Sequence, residues 1–243
     1  FIPPIFTKII SKIYKLYISN SNKILFKLNQ KKDLSKHYLY YGNIGEHEEQ
    51  FYNTKFIGLS LRPLTKRDML HNAYHNLPCE PNSIKKIQSQ DVFEHLEYDK
   101  IPSILNSIYE TLKPGGTFRL SVPDYNSPAM RKECVFDELG NIMVDISCGG
   151  RVIYDNKLPG KKALFQTDGN AHLWFPTYKT IKELISKSSI NKSSKIIFYH
   201  YFIDRDKFVC DVLPENEMPV LRMPPNDMRS AGKPVSIIVD FIK

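Results

Sequence analysis

Two short runs hold the side chains best suited to moving a proton: Asp91-Val92-Phe93-Glu94-His95 and Ala171-His172-Leu173-Trp174-Phe175. An imidazole is largely neutral near pH 7 and can accept a proton from a weak acid such as an alcohol. His172, close to the only tryptophan of the chain, is the first candidate base, with His95 and Asp124 beside it as candidate catalytic residues. Asp124 is a weaker base, with an ordinary carboxylate pKa of about 4, and suits holding a hydroxyl or orienting an imidazole. His95 opens a helical region, where the positive dipole end disfavours the imidazolium it would become. Each has a plainer reading too: His172 as packing in an aromatic cluster, His95 as a half-buried packing residue, and Glu94 as helix-start electrostatics.

A second set of residues could hold a ligand by its backbone. Gly42-Asn43-Ile44-Gly45 follows the aromatic run Tyr38 to Tyr41 directly. Glycines just past a strand let the chain approach a cofactor closely. Ser60 ends the run Phe56 to Leu61, Asn72-Ala73 stands ahead of Leu77-Pro78, and Asp91-Val92 follows Ile84 to Gln90. In an open α/β sheet, residues just past the carboxyl ends of strands face one crevice. A βα turn without a ligand is the plainer reading. No GxGxxG fingerprint is present, which argues against a dinucleotide-using enzyme.

The element that positions these groups runs from Ile84 to Asp124. Ile84, Ile87 and Val92 flank a short polar strand. Ile101, Ile104, Leu105, Ile108, Tyr109 and Leu112 recur at steps of three and four, the spacing of an amphipathic helix. Pro114-Gly115-Gly116 stops it. Thr117 to Val122 then alternates, with Phe118, Leu120 and Val122 on one face. Strand, helix, turn and strand make a βαβ crossover, the unit of parallel sheets. The helix Tyr178 to Lys187, opened by Pro176-Thr177, and the strands Lys195 to Ile203 and Val235 to Ile242 complete the pattern.

Taken together, "DVFEHL", "LKPGG" and "VPD" in this order resemble the second half of a class I S-adenosylmethionine (SAM)-dependent methyltransferase, over roughly Tyr38 to Ser188. The resemblance implies an α/β, Rossmann-like sheet of seven strands, mostly parallel with an antiparallel C-terminal strand, and helices on both faces. It implies SAM as cofactor, held across Gly42, Asn43, Gly45, Ser60, Asn72, Ala73, Asp91 and Val92. The chain departs from the family where acidic residues usually stand: Tyr40, Ser60 and Asn72 occupy those places. "VPDY" replaces the Asn/Asp-Pro-Pro-aromatic pattern of amino-methylating members, which argues against methylation of nucleic-acid bases. The resemblance points to a hydroxyl acceptor, with a sugar in a glycan the leading candidate and Tyr125 and Trp174 covering its apolar face. Similar domains occur in multidomain glycosylation proteins, including those of large viruses, so a cytoplasmic location, the host's if viral, is expected. A methyltransferase-like domain that has lost catalysis and binds or scaffolds stays open as an alternative, as does another nucleotide-using Rossmann enzyme.

The remaining features set bounds. With 42% hydrophobic and 25% charged residues over 243 positions, an ordinary globular core is expected. The net charge of +8 fits a lysine-rich solvated surface or an anionic partner. Cys79, Cys134, Cys148 and Cys210 form no CxxC pair, and no metal site is expected. Residues 1–33 read as a separate basic amphipathic segment preceding a domain over 34–243. Phe6, Ile9, Ile10, Ile13, Tyr14, Leu16 and Tyr17 interleave there with Lys8, Lys12 and Lys15. The segment is expected to pack on protein, with an anionic membrane surface, met through residues 5–17, as the alternative. The start at Phe1 suits a piece of a longer protein. Asn126 to Phe175 shows little periodicity and reads as a substrate lid. Arg222 and Arg229 in the late loop read as solvated.

Overall fold

The computed structural model describes residues 33–154, 161–165, 170–214, 217–224, 226–227 and 232–243. The amphipathic segment before residue 33, Pro159-Gly160, Asp168-Gly169 and Arg229 lie outside the described residues. The chain runs β1 (Tyr38–Tyr41), α1 (Glu49–Tyr52), β2 (Phe56–Ser60), β3 (Asp68–Leu70), β4 (Ile84–Gln90), α2 (Ile101–Thr111) and β5 (Leu112–Pro123). Then come α3 (Pro128–Arg131), β6 (Cys134–Phe136), β7 (Ile142–Asp145), β8 (Gly150–Tyr154), β9 (Lys161–Phe165), α4 (Tyr178–Ser186), β10 (Lys195–Phe202), β11 (Phe208–Cys210) and β12 (Ser236–Ile242).

Eight strands form one sheet in the order β11-β10-β12-β5-β4-β1-β2-β3. From β3 across to β5 all neighbours are parallel; β12 runs antiparallel to both β5 and β10. The fold is therefore a Rossmann-like mixed α/β sheet, with an antiparallel C-terminal strand as expected. Its eighth strand, β11, hangs on the edge of β10. The chain builds outward from β1 to β2 and β3, then returns to the other side of β1 as β4. That reversal leaves a crevice beyond the carboxyl ends of β1 and β4.

The two faces of the sheet are covered unequally. On one, Ile101, Ile104, Leu105 and Ile108 of α2 and Ile181, Leu184 and Ile185 of α4 pack with Phe118, Leu120 and Phe241. Each fully buried side chain of this kind contributes about 1.5–3 kcal/mol. A capping box at Thr177 and Thr180 starts α4. On the other face Tyr38, Tyr40 and Phe56 meet Met218, and α1 is only one turn. Here Arg119 is buried and binds Asp240 by two parallel contacts of 2.7 Å, while donating to the Met218 carbonyl.

Two local expectations change. Leu112 already pairs with Ile84, so the Pro114-Gly115-Gly116 turn is a bulge inside β5 rather than a connection before it. A side chain at Gly116 would sit 2.8 Å from the Lys113 carbonyl oxygen, which is why the bulge takes glycine there. The 126–175 segment is not irregular throughout. It contains α3 and two antiparallel hairpins, β6–β7 and β8–β9.

Candidate active site at the switch point

The β1 end is shaped for close approach. Gly42 has φ +108° and donates its N–H to the Leu59 carbonyl. A Cβ there would stand 3.4 Å from Val92 Cγ2, so the glycine lets the β1 end lie close against Val92 at the β4 end. The Asn43 side-chain Oδ1 is shielded from solvent and has no hydrogen-bond partner among the described residues. Gly45 lies against the His47 ring. Asp91, at φ +51°, accepts from Arg222 Nε at 2.9 Å. The side chains expected further along are engaged locally. Ser60 Oγ accepts the Arg62 N–H and Asn72 Oδ1 the Tyr74 N–H, while Ala73 packs on the core. Ser60 and Asn72 thus brace local turns through one acceptor each.

Just past β4 the chain makes the turn Phe93–His95, and the end of the 126–175 segment is fastened to it. Leu173 N–H donates to the Glu94 carbonyl at 2.8 Å, Trp174 Nε1 to the Phe93 carbonyl at 3.0 Å, and His95 Nδ1 contacts the Ala171 carbonyl at 3.0 Å. Gly149, at φ +79°, allows the close approach, since a Cβ there would stand 3.2 Å from the backbone of Asn170 and Ala171. These contacts bring His95 and His172 together with ring centroids 4.7 Å apart and edge-to-face.

The hydrogen bonds fix both imidazole tautomers. A carbonyl only accepts, so His95 carries its proton on Nδ1 and a lone pair on Nε2. The Tyr125 hydroxyl lies 2.5 Å from Asp145 Oδ2 and 2.5 Å from His172 Nδ1. Its one proton goes to the carboxylate, so its oxygen accepts the His172 Nδ1–H and leaves a lone pair on Nε2. Both Nε2 atoms point at the same oxygen, Glu94 Oε1, at 3.8 Å from His172 and 4.0 Å from His95. Glu94 is fully buried and neither of its oxygens has a hydrogen-bond partner among the described residues. Burial, and then the charge of Asp91, raise the Glu94 pKa well above the carboxylate range. Burial lowers His172 to about 4, with His95 beside it adding to the shift, and burial lowers His95 as well. Both imidazoles are therefore neutral near pH 7. The Arg222 charge acts on Glu94 and both histidines while its guanidinium holds Asp91, so this cluster adjoins the crevice.

Three expected site residues take other parts. Asp124 does not join the cluster. It is fully buried and accepts from Phe202 N–H at 2.6 Å and Asn126 N–H at 2.9 Å, clamping the end of β5 to β10. Burial pushes its pKa up to about 6. Tyr125 is fully buried and Trp174 nearly so, the latter packed edge-to-face against Tyr98. Neither presents a ring to an acceptor; Tyr125 orients His172, and Trp174 fastens the 126–175 segment. Sequence reasoning undervalued Glu94 and missed Asp145 and the Arg222 contact. The adjacent Glu-His pair at a strand end was the available signal.

No family model matches the chain, and no curated protein matches it. Solved structures similar to it include a SAM-dependent methyltransferase from Thermotoga maritima described as a possible histamine N-methyltransferase (14% identity, 98% of each chain, TM-score 0.47). A SAM-dependent methyltransferase from Archaeoglobus fulgidus matches at 12% identity over 95% of this chain and 99% of that one, with a TM-score of 0.46. A putative SAM-dependent methyltransferase from Listeria monocytogenes matches at 16% identity over 94% and 99%, with a TM-score of 0.42.

Proposed function

We propose that the chain binds SAM across the β1 and β4 ends and transfers its methyl group to a hydroxyl held against Glu94, His95 and His172. The observation that carries this reading is the pair of neutral imidazoles beside the reversal in strand order, with both Nε2 atoms near Glu94 Oε1 and Asp91 at the end of β4 held by Arg222. The DVFEHL, LKPGG and VPD runs support the choice of cofactor. SAM supplies an already activated methyl group. What remains for the protein is to align the acceptor with the sulfonium and to weaken its O–H bond, and holding reactants in line is a large catalytic resource. The cluster is placed for the second task.

The finer reading is a sugar hydroxyl of a glycan. It is supported by an open groove of about 540 Å³ lined by Asn126, Arg131, Lys132, Phe136 and Arg205, which combines an aromatic ring with hydroxyl-binding side chains. Arg131 links it to the cluster by donating to the Tyr125 carbonyl. The second reading, a binding domain without catalysis, is favoured by the Arg222–Asp91 pair across the crevice and by the local use of Ser60 and Asn72.

Calorimetric titration of SAM, NAD and a nucleotide sugar tests the cofactor. SAM is expected to bind and the other two not. Gly42→Ala is expected to weaken SAM by tenfold or more in a chain that still melts cooperatively, because φ > 0 disfavours a side chain there and the methyl group, pressed against Val92, shifts the backbone proposed to meet the ligand. Binding of NAD or the nucleotide sugar in place of SAM would refute the assignment.

A further inference from the structure

We propose that Glu94 Oε1, His95 Nε2 and His172 Nε2 form a binding site for a divalent transition-metal ion. Each of the three residues offers a ligand atom within 4.8 Å of the other two, and Glu94 Oε1 lies 3.8 Å from His172 Nε2 and 4.0 Å from His95 Nε2. Ligand atoms of a tetrahedral ion with bonds of about 2.1 Å stand about 3.4 Å apart. The 3.8 and 4.0 Å separations from Glu94 Oε1 close to that by side-chain shifts of some tenths of an ångström, and the two imidazoles, within 4.8 Å of each other, close by up to about an ångström through ring rotation. The tautomers suit ligation: each ring is anchored through Nδ1, His95 by the Ala171 carbonyl and His172 by the Tyr125–Asp145 pair, leaving Nε2 as the donor. Anchoring of this kind accompanies most metal-bound histidines.

Glu94 supplies the independent observation. A buried carboxyl group with no hydrogen-bond partner is costly, and a cation that displaces its proton is the partner that Oε1 and the neighbouring imidazole lone pairs lack. The opposite side of His172 is not the site, although Asp145 and Cys148 lie there, because the Tyr125 hydroxyl occupies Nδ1. Two imidazoles and one carboxylate favour Zn²⁺, Mn²⁺, Fe²⁺ or Co²⁺ over Mg²⁺ and Ca²⁺, which prefer all-oxygen sites. The His95 side chain is 25% exposed and gives an ion a path in. Three protein ligands leave a coordination position open, as in catalytic metal sites. On the methyltransferase reading, the ion would take both Nε2 lone pairs in place of the acceptor's proton, and the acceptor hydroxyl, bound at the open position, would be acidified there and lose its proton to solvent.

The test is isothermal titration of the full chain, stripped with a chelator, with Zn²⁺ and separately with Co²⁺. One ion per chain is expected, with visible absorption from bound Co²⁺. Glu94→Gln and His172→Asn are expected to weaken binding at least a hundredfold. Tyr125→Phe is expected to weaken it about ten- to a hundredfold through loss of the Nδ1 anchor, and His200→Asn, in β10, to leave it unchanged. Absence of stoichiometric binding in a cooperatively melting chain would overturn the proposal. So would binding that survives Glu94→Gln and His172→Asn, or that disappears with His200→Asn. SAM titrated into the stripped chain separates the two claims: SAM binding without metal binding refutes only the metal site, and metal binding without SAM binding refutes only the cofactor.

Discussion

At the scale of single residues, the chemistry rests on which atom of each imidazole is left over. His172 lies between two demands: Tyr125 and Asp145 hold its Nδ1, and Nε2 is turned to Glu94. Removing the ring takes away an electron pair from the place where the acceptor must lose its proton. His172→Ala is expected to lower turnover by about a hundredfold to ten-thousandfold, while SAM affinity stays within about twofold because the ring lies on the acceptor side. Single-turnover kinetics beside calorimetry measure the two separately. Near-wild-type turnover in His172→Ala with collapse in His95→Ala would transfer the principal role to His95. The same logic removes Asp124 from the reacting groups, since both its oxygens are committed to backbone N–H donors.

Among the elements, the segment from Glu217 to Met223 does the most unexpected work. It crosses the α1 face of the sheet and is tied down at nearly every residue. Glu217 meets Tyr38, Lys55 and Lys86, and the Met218 carbonyl accepts from Arg119. The Pro219 carbonyl accepts from Gln50 and Gln88, and Leu221 N–H donates to Gln90. At its far end Arg222 holds Asp91 at the mouth of the crevice. On the proposed function the sulfonium of SAM is a cation near Asp91, so the Arg222 guanidinium would compete with it. The pair is partly exposed, and pairs of that kind contribute about 0.2–1 kcal/mol. Arg222→Ala is accordingly expected to tighten SAM binding by about two- to fivefold, with the gain shrinking as salt rises. Calorimetry at low and high ionic strength reads this directly, and weaker SAM binding in the variant would show that Arg222 shapes the crevice instead of guarding it.

For the molecule as a whole, the unequal faces decide where stability is concentrated. The α2–α4 face is an apolar layer, whereas the opposite face buries a fork-to-fork ion pair between the adjacent strands β5 and β12. Breaking a buried pair leaves one uncompensated charge and costs about 3–5 kcal/mol, while replacing both partners by apolar residues is often neutral. Arg119→Met is expected to lose about that much in urea unfolding, and Arg119→Met with Asp240→Leu to recover most of it. Equal loss in the single and double variants would mean that the Arg119 contact with the Met218 carbonyl, not the charge pair, holds this face. No helix among the described residues is long and apolar enough to cross a membrane.

Local pattern carried much of this architecture. The spacing of Ile101, Ile104, Leu105 and Ile108 determines α2, the alternation of Phe118, Leu120 and Val122 determines the inner face of β5, and Gly42 after the aromatic run marks the close approach at β1. These features depend on neighbours a few positions apart, where side-chain period and glycine chemistry are written directly into residue types. Strands as short as β3 and β11 and the hairpins of the 126–175 segment carry too few residues to show a period. The convergence of Glu94, His95 and His172 left no mark in local pattern either. It is made by Leu173, Ala171 and Trp174 meeting the Phe93–His95 turn; all three bonds end on a backbone carbonyl, which every residue type possesses, and the Leu173–Glu94 bond is backbone on both sides. The partners of Asp124, Arg119 and Arg222 are equally long-range. Residue type says that such side chains need a partner when buried; only the tertiary structure, by closing the chain on itself, decided which one each received.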